Sequence, residues 1–268
     1  MEKILVFIPA FNCARQIPRV IDKFDARAAR LVGEVLVVDN GSTDGTADAA
    51  QRSMAANANL AAIARTIRRN RQNYNLGGSH KVAFNYALDH GFDYVIVLHG
   101  DDQGDIRDVI PWLERGAHRD VACLLGARFM AGARLVNYSL PRIAGNHVFN
   151  ALFSIVLGRR LYDLGSGLNV YRTSFLQPRF YLRFPNALTF NYYMLAYSII
   201  RGASLRFFPL TWREEDQTSN VRLVRQTLRM FDVLRQLVFA RGEFMTAWHQ
   251  PEQAYDSDVI ARLEPAVS

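Results

Sequence analysis

Cysteine is nearly absent: Cys13 and Cys123 are the only two among 268 residues. Two thiols without metal-ligand spacing build neither a disulfide framework nor a thiolate metal site, so a reducing cytoplasm is the default setting. No apolar run approaches the roughly 18 residues that a transmembrane helix requires. The start, Met-Glu-Lys followed by Ile4-Leu5-Val6-Phe7-Ile8-Pro9, lacks the cationic, apolar and small-residue layout of a secretory leader. Glycine is missing where a dinucleotide-binding turn needs it, because the first apolar run leads into Pro9-Ala10-Phe11-Asn12-Cys13. That argues against a nicotinamide-dependent dehydrogenase, and the lack of Gly-x-x-x-x-Gly-Lys-Ser/Thr removes a P-loop nucleotidase. No internal repeat or low-complexity block is present.

Acids are the scarcer charge, 25 Asp and Glu against 32 Lys and Arg, for a net charge of +7. With a pI near 9.6, the chain favours anionic partners: nucleic acid, sugar nucleotides or anionic membrane surfaces. Arginine supplies most of the cations, and its guanidinium fork matches phosphate oxygens. No nucleic-acid recognition module accompanies the charge, so nucleic acid is not an expected partner. A hydrophobic fraction of 50% and a charged fraction of 21% exclude a disordered tail and a multi-span membrane protein.

The first hundred residues alternate short apolar runs with helical spacing. Ile4 to Ile8, Glu34 to Val38, Leu60 to Thr66 and Tyr94 to Leu98 read as strands, with helices over 17–30, from about Thr46, and from Gly77-Gly78 to about Leu88. Ser42 or Thr43 is placed to cap the second of these helices. This rhythm predicts a mainly parallel sheet covered by helices on both faces. Farther on, the pattern predicts strands at 121–126 and 204–210, a strongly apolar helix over 142–157 and a long helix over 221–241. The segment 249–268 reads as weakly ordered.

Ligands of such sheets bind outside the carboxyl ends of the strands. Three strands here end in polar or glycine-bearing loops: after Ile8, after Val38, and after Leu98 at His99-Gly100-Asp101-Asp102-Gln103. Asp39 is placed to accept hydrogen bonds from a ribose or base. Asp101, Asp102 and Gln103 offer hard oxygen ligands for Mg²⁺ or Mn²⁺ against a diphosphate. The blander alternative has Asp101 or Asp102 capping a helix near Ile106.

Pro9-Ala10-Phe11-Asn12, Val37-Val38-Asp39-Asn40-Gly41-Ser42-Thr43-Asp44-Gly45-Thr46, Asn75-Leu76-Gly77-Gly78 and His99-Gly100-Asp101-Asp102-Gln103 resemble, in this order, the signatures of family 2 glycosyltransferases of the GT-A fold. Gly126-Ala127-Arg128, Asp163 to Arg172 and Arg201-Gly202-Ala203 are similar to the dolichyl- or polyprenyl-phosphate mannose synthase branch. The resemblance covers about residues 3–225. It implies an α/β GT-A domain over 1–220, with a nucleotide-sugar half (1–105) and an acceptor half (106–220), followed by a C-terminal helix and tail (221–268). It further implies that Pro9, Phe11 and Asn12 line the nucleotide pocket and that Asp39, with Asn40 beside it, contacts base or ribose. Asp101 and Gln103 match a metal motif whose first acid is here His99. Arg128 and Arg142 match arginines that hold the acceptor phosphate, and Ser166 and Gly167 a pair that shapes the sugar site. The departures are His99 for Asp, Asn40 for a second Asp, Asn146 for a serine, and a late motif, Trp212 to Gln217, in which Arg213 stands in for the usual arginine.

A hydroxyl acceptor needs a carboxylate base, yet the stretch Thr189-Phe190-Asn191-Tyr192-Tyr193-Met194 holds no acid. A phosphate monoester is already ionised at pH 7, with a second pKa of about 6. A polyprenyl phosphate acceptor is therefore expected, with a nucleoside diphosphate sugar as donor. Glu214, Glu215 and Asp216 keep open a transferase acting on a glycan hydroxyl, and the lost metal Asp keeps open a non-catalytic binder. The helices over 142–157, followed by Arg159-Arg160, and over 221–241, with Arg222, Arg225 and Arg229 on one face, suit either a peripheral membrane contact or ordinary packing. A separate membrane-spanning partner would be compatible with either. Lys81 and Arg68, Arg69 and Arg71 read as solvated charge or phosphate contacts.

Overall fold

The computed structural model describes residues 2–216 and 223–266. Gln217 and Arg222 lie outside the described residues. The strands are β1 (Ile4–Ala10), β2 (Glu34–Asp39), β3 (Ala64–Asn70), β4 (Tyr94–Leu98), β5 (Cys123–Ala127), β6 (Arg134–Val136), β7 (Leu168–Arg172), β8 (Leu205–Pro209), β9 (Thr211–Arg213) and β10 (Ser257–Leu263). Eight of them form one sheet in the order β10-β3-β2-β1-β4-β7-β5-β8, and β6 pairs with β9 separately.

The pairs β1–β2, β2–β3, β1–β4 and β5–β8 are parallel, whereas β7 runs antiparallel to both of its neighbours. β1, β2 and β4 are predominantly Val, Ile and Leu because helices cover both faces. Alternate residues enter separate cores. Leu5, Phe7, Leu36 and Val97 face one core with Phe84 and Phe190, while Val6, Ile8, Val37 and Ile96 face the other with Ile17 and Val20. Each such buried side chain contributes about 1.5–3 kcal/mol of transfer free energy.

The strand order positions the site. From β1 the chain builds outward through β2 and β3, then crosses back to lay β4 on the other side of β1. The carboxyl end of β1 is therefore a topological switch point, where a crevice opens.

Several expectations shift. The helix read over 17–30 is two helices, Ile17–Asp22 and Ala26–Leu31, because the Asp25 carboxylate accepts from the N–H groups of Arg27 and Ala28 and starts a new one. The third strand begins at Ala64, after a 3-10 turn at Ala58–Leu60. Gly45, in a left-handed conformation, stands at the cap position expected of Ser42 or Thr43. Where a weakly ordered tail is expected, Ser257–Leu263 is a strand. β10 closes the sheet edge antiparallel to β3, and Arg68 Nε donates to Ser257 Oγ at 2.8 Å.

The late helices, Leu140–Leu157 and Leu223–Phe239, lie against each other with the Phe149 and Phe231 rings 5.1 Å apart. Phe153, Val233 and Leu237 are buried in the core, while Leu140, Val148, Ile155, Val224, Leu228 and Val238 are exposed.

Candidate active site

Hydrogen bonds stitch together the loops that follow β1, β2 and β4. Asn40 N–H donates to the Ala10 carbonyl at 2.9 Å and Gly100 N–H to the Pro9 carbonyl at 3.1 Å. Asn12, at φ +49°, turns the first loop so that its N–H donates to Ser42 Oγ (3.0 Å) and its Oδ1 accepts from Thr43 N–H (3.0 Å). Cys13 N–H donates to Thr46 Oγ1 at 2.9 Å. Pro9 and Asn12 thus build the rim, and Phe11 is exposed beside it.

Asp39 is fully buried; its Oδ1 accepts from Ser42 N–H and its Oδ2 from Arg69 Nε, each at 2.9 Å. Arg69 remains half exposed above it, so this edge of the crevice carries a cation that the sequence reading left as solvated charge or a phosphate contact. Asn40 is used internally. Its Oδ1 accepts from Asn70 Nδ2 and Tyr74 N–H, and its Nδ2 donates to Asn73 Oδ1 at 2.8 Å. It holds the second loop against the third.

After β4, consecutive acids occupy different surroundings. Asp102, at φ +65°, is buried and paired with Arg19 Nε at 2.6 Å and with Lys23 Nζ. Neither acid caps the following turn, because Asp105 does so. Asp101 has no ion pair among the described residues; its Oδ1 accepts only from Gln103 N–H at 3.2 Å. Burial, opposed by that hydrogen bond, raises its carboxyl to about 6. His99 Nε2 is buried without a hydrogen-bond partner, and burial, aided by the nearby Arg128 charge, lowers the imidazole to about 4. A neutral ring with an orphaned nitrogen, a carboxylate without an ion pair among the described residues and the Gln103 amide are, by type, N and O donors suited to a divalent cation. No group of three or more His, Cys, Asp or Glu converges among the described residues, so the protein alone supplies an incomplete shell.

The two arginines expected to hold an acceptor phosphate, Arg128 and Arg142, are already engaged. Arg128 is bidentate to the buried Asp163, Nε to Oδ2 and Nη2 to Oδ1 at 2.8 Å each, and lies between Phe129 and Trp212. Arg142 pairs through Nη1 with both carboxylate oxygens of Glu214 and stacks on Tyr138. Asn146 donates to the Tyr138 hydroxyl at 3.2 Å. Arg213 differs: its N–H donates to the Gln103 carbonyl at 3.0 Å, while its Nε is buried without a partner. No ion pair of its guanidinium is found among the described residues.

Ser166 and Gly167 are both buried. A β-carbon on Gly167, at φ +72°, would sit 2.8–2.9 Å from the His99 ring. Sequence reasoning missed Asp163 and Glu214 as partners, since each pairs with an arginine 35 or 72 positions away. It also misplaced Lys81. That ammonium is buried and donates to the Phe184 carbonyl (2.5 Å), Asn186 Oδ1 (2.9 Å) and the Tyr255 hydroxyl (2.9 Å), and burial pulls it down to about 7.

Comparison with known proteins gives the frame a family. An undecaprenyl-phosphate mannosyltransferase of Micrococcus luteus is 27% identical over 175 residues, 65% of this chain and 68% of that protein. A polyprenol monophosphomannose synthase of Mycolicibacterium smegmatis is 24% identical over 180 residues, 66% of this chain and 64% of that protein, less than two thirds of its length. Among solved structures, glucosyl-3-phosphoglycerate synthase from Mycobacterium tuberculosis with UDP superposes with a TM-score of 0.61 at 18% identity, covering 88% of this chain and 80% of that one. The same synthase with Mn²⁺, UDP-glucose and glycerol 3-phosphate gives 0.60 at 16% identity, over 90% and 80%. S. aureus TarS 1–349 with UDP-GlcNAc gives 0.59 at 16% identity, over 89% and 67%. At these identities the likeness establishes the fold, which is GT-A. The Glycosyl transferase family 2 model matches residues 5–180, and the chain belongs to that family.

Proposed function

We propose that this chain transfers a hexose from a nucleoside diphosphate sugar to a polyprenyl phosphate, with inversion and with help from Mg²⁺ or Mn²⁺. One juxtaposition carries the reading. At the switch point Asp101 and Arg213, neither in an ion pair among the described residues, are tied to the same loop by the Arg213 N–H to Gln103 carbonyl bond. A metal-bound diphosphate satisfies both.

His99, Asp101 and Gln103 would hold the metal, whose chemistry is to neutralise charge on the departing diphosphate. The stitched loops of Pro9, Phe11, Asn12 and Asp39 receive the nucleoside, with Arg69 at their edge. Arg213 faces the diphosphate. Arg142 binds the acceptor phosphate together with Arg128, of which Nη1 has no partner among the described residues. Such an acceptor is already anionic and needs no protein base. The names of the two relatives above support this acceptor class.

The exposed apolar residues of helices Leu140–Leu157 and Leu223–Phe239, flanked by exposed Arg225 and Arg229, suit shallow contact with an anionic membrane surface that would present the lipid. No described helix is long and apolar enough to cross a membrane.

The test is transfer itself. Purified protein with Mn²⁺, undecaprenyl phosphate and either a GDP-, UDP- or dTDP-hexose is expected to give a glycosylated lipid with one donor. Asp101→Asn should fold normally and lose turnover. Transfer to a glycan hydroxyl but not to the lipid phosphate would favour the hydroxyl-acceptor reading. Nucleotide binding without any transfer would favour a binding protein.

A further inference from the structure

Glu214 is absorbed by neither the donor nor the metal. It follows β9, and its N–H donates to the Val136 carbonyl at 3.1 Å, which fixes its backbone against β6. Its carboxylate lies on Arg142 through both oxygens, and one of them also accepts from Gln103 Nε2 at 3.5 Å. Both partners are largely enclosed, with side-chain exposures of 28% for Arg142 and 21% for Glu214. Tyr138 closes the other side of the guanidinium. Both carboxylate oxygens sit on one guanidinium nitrogen, Nη1, a charge-assisted contact that an oxyanion of a phosphate can make at the same place.

We propose that Glu214 is a built-in stand-in for the acceptor's anionic group. It holds Arg142 in position while the acceptor is absent, and a phosphate monoester displaces it. This rests on the assignment of Arg142 to the acceptor. Displacement makes Glu214 a specificity-determining residue. A neutral hydroxyl cannot replace a carboxylate on a guanidinium, because it would leave the cation without a counter-charge, whereas a phosphate can. The carboxylate cannot stay beside the incoming phosphate either, since like charges in contact repel.

Isothermal titration of citronellyl phosphate, a short lipid phosphate, and of glycerol 3-phosphate into the intact protein distinguishes lipid from soluble phosphate sources. Glu214→Gln keeps the shape and removes the competing charge. It should tighten the preferred phosphate about tenfold, a difference of about 1.4 kcal/mol, and lower the acceptor KM with kcat changed less. The gain should vanish when Arg142→Ala is combined with it, a coupling that a purely structural role would not produce. Glu214→Asp, which keeps the charge, should bind like wild type. Binding to Glu214→Gln that is unchanged or weaker overturns the proposal. So does a loss of kcat at unchanged affinity, which would make Glu214 a base. If wild type binds neither phosphate, the lipid-phosphate reading of the whole site fails instead.

Discussion

Replacing Asp163 with asparagine tests whether the Arg128 pair is a pin of the fold. Asp163 is essentially inaccessible and Arg128 is 11% exposed at its side chain. The carboxylate accepts Arg128 N–H at 2.9 Å, Nε and Nη2 at 2.8 Å each, and Gly165 N–H at 3.0 Å. An amide of the same shape removes the negative charge and turns an NH₂ towards donors. Breaking one side of a buried ion pair costs about 3–5 kcal/mol, because the surviving charge stays buried. For a chain of this size each kcal/mol moves the midpoint by about 2–4 °C, so a drop of about 6–20 °C is expected. Urea unfolding followed by circular dichroism measures the change. The double variant Arg128→Met with Asp163→Leu should recover part of the loss, since an apolar pair of similar volume leaves no orphan. A single variant that unfolds within 1 kcal/mol of wild type, with only acceptor affinity altered, would refute the argument and make Arg128 a substrate ligand first.

Lys81 should give stability a pH signature. In the folded chain the ammonium loses its proton near 7 instead of the usual 10.5, so between these values the unfolded chain binds the extra proton. Stability then rises with pH across that window, by at most about 1.4 kcal/mol per unit, and Lys81→Met should abolish that part of the slope. A gap between the two proteins that stays flat from about pH 7.5 to 9.5 would contradict this. Gly167→Ala combines a left-handed φ with a β-carbon pressed on the His99 ring, and should cost about 1–3 kcal/mol while displacing His99. Crystals of that variant with the ring unmoved would show the contact to be softer than argued.

Much of this arrangement is written locally. The loops after β1, β2 and β4 were legible because their residue types break an apolar strand in a way only a site or a turn explains, and the parallel order brings such ends together. What escaped reading was the choice of partner. Asp39 and Asn40 look like ligand readers in sequence, and the fold also ties Asn40 to Asn70, Asn73 and Tyr74. Arg128 and Arg142 look like free phosphate ligands until the fold brings Asp163 and Glu214 to them. β10 was invisible because Ser257-Asp258-Val259-Ile260-Ala261-Arg262-Leu263 lacks clean alternation, and pairing with β3 supplies what its own composition does not. Lys81 is buried because Asn186 and Tyr255, both distant in sequence, bring acceptors to it.

The position of β10 has a consequence for biosynthesis. Its Ser257 lies opposite Asn70, so the outer edge of β3 is paired by a segment that is synthesised long after β3 itself. Until then β3 presents unpaired amides and carbonyls, an open template for another chain. Prematurely terminated products should therefore self-associate through that edge, and a synthetic peptide of the last strand should suppress it.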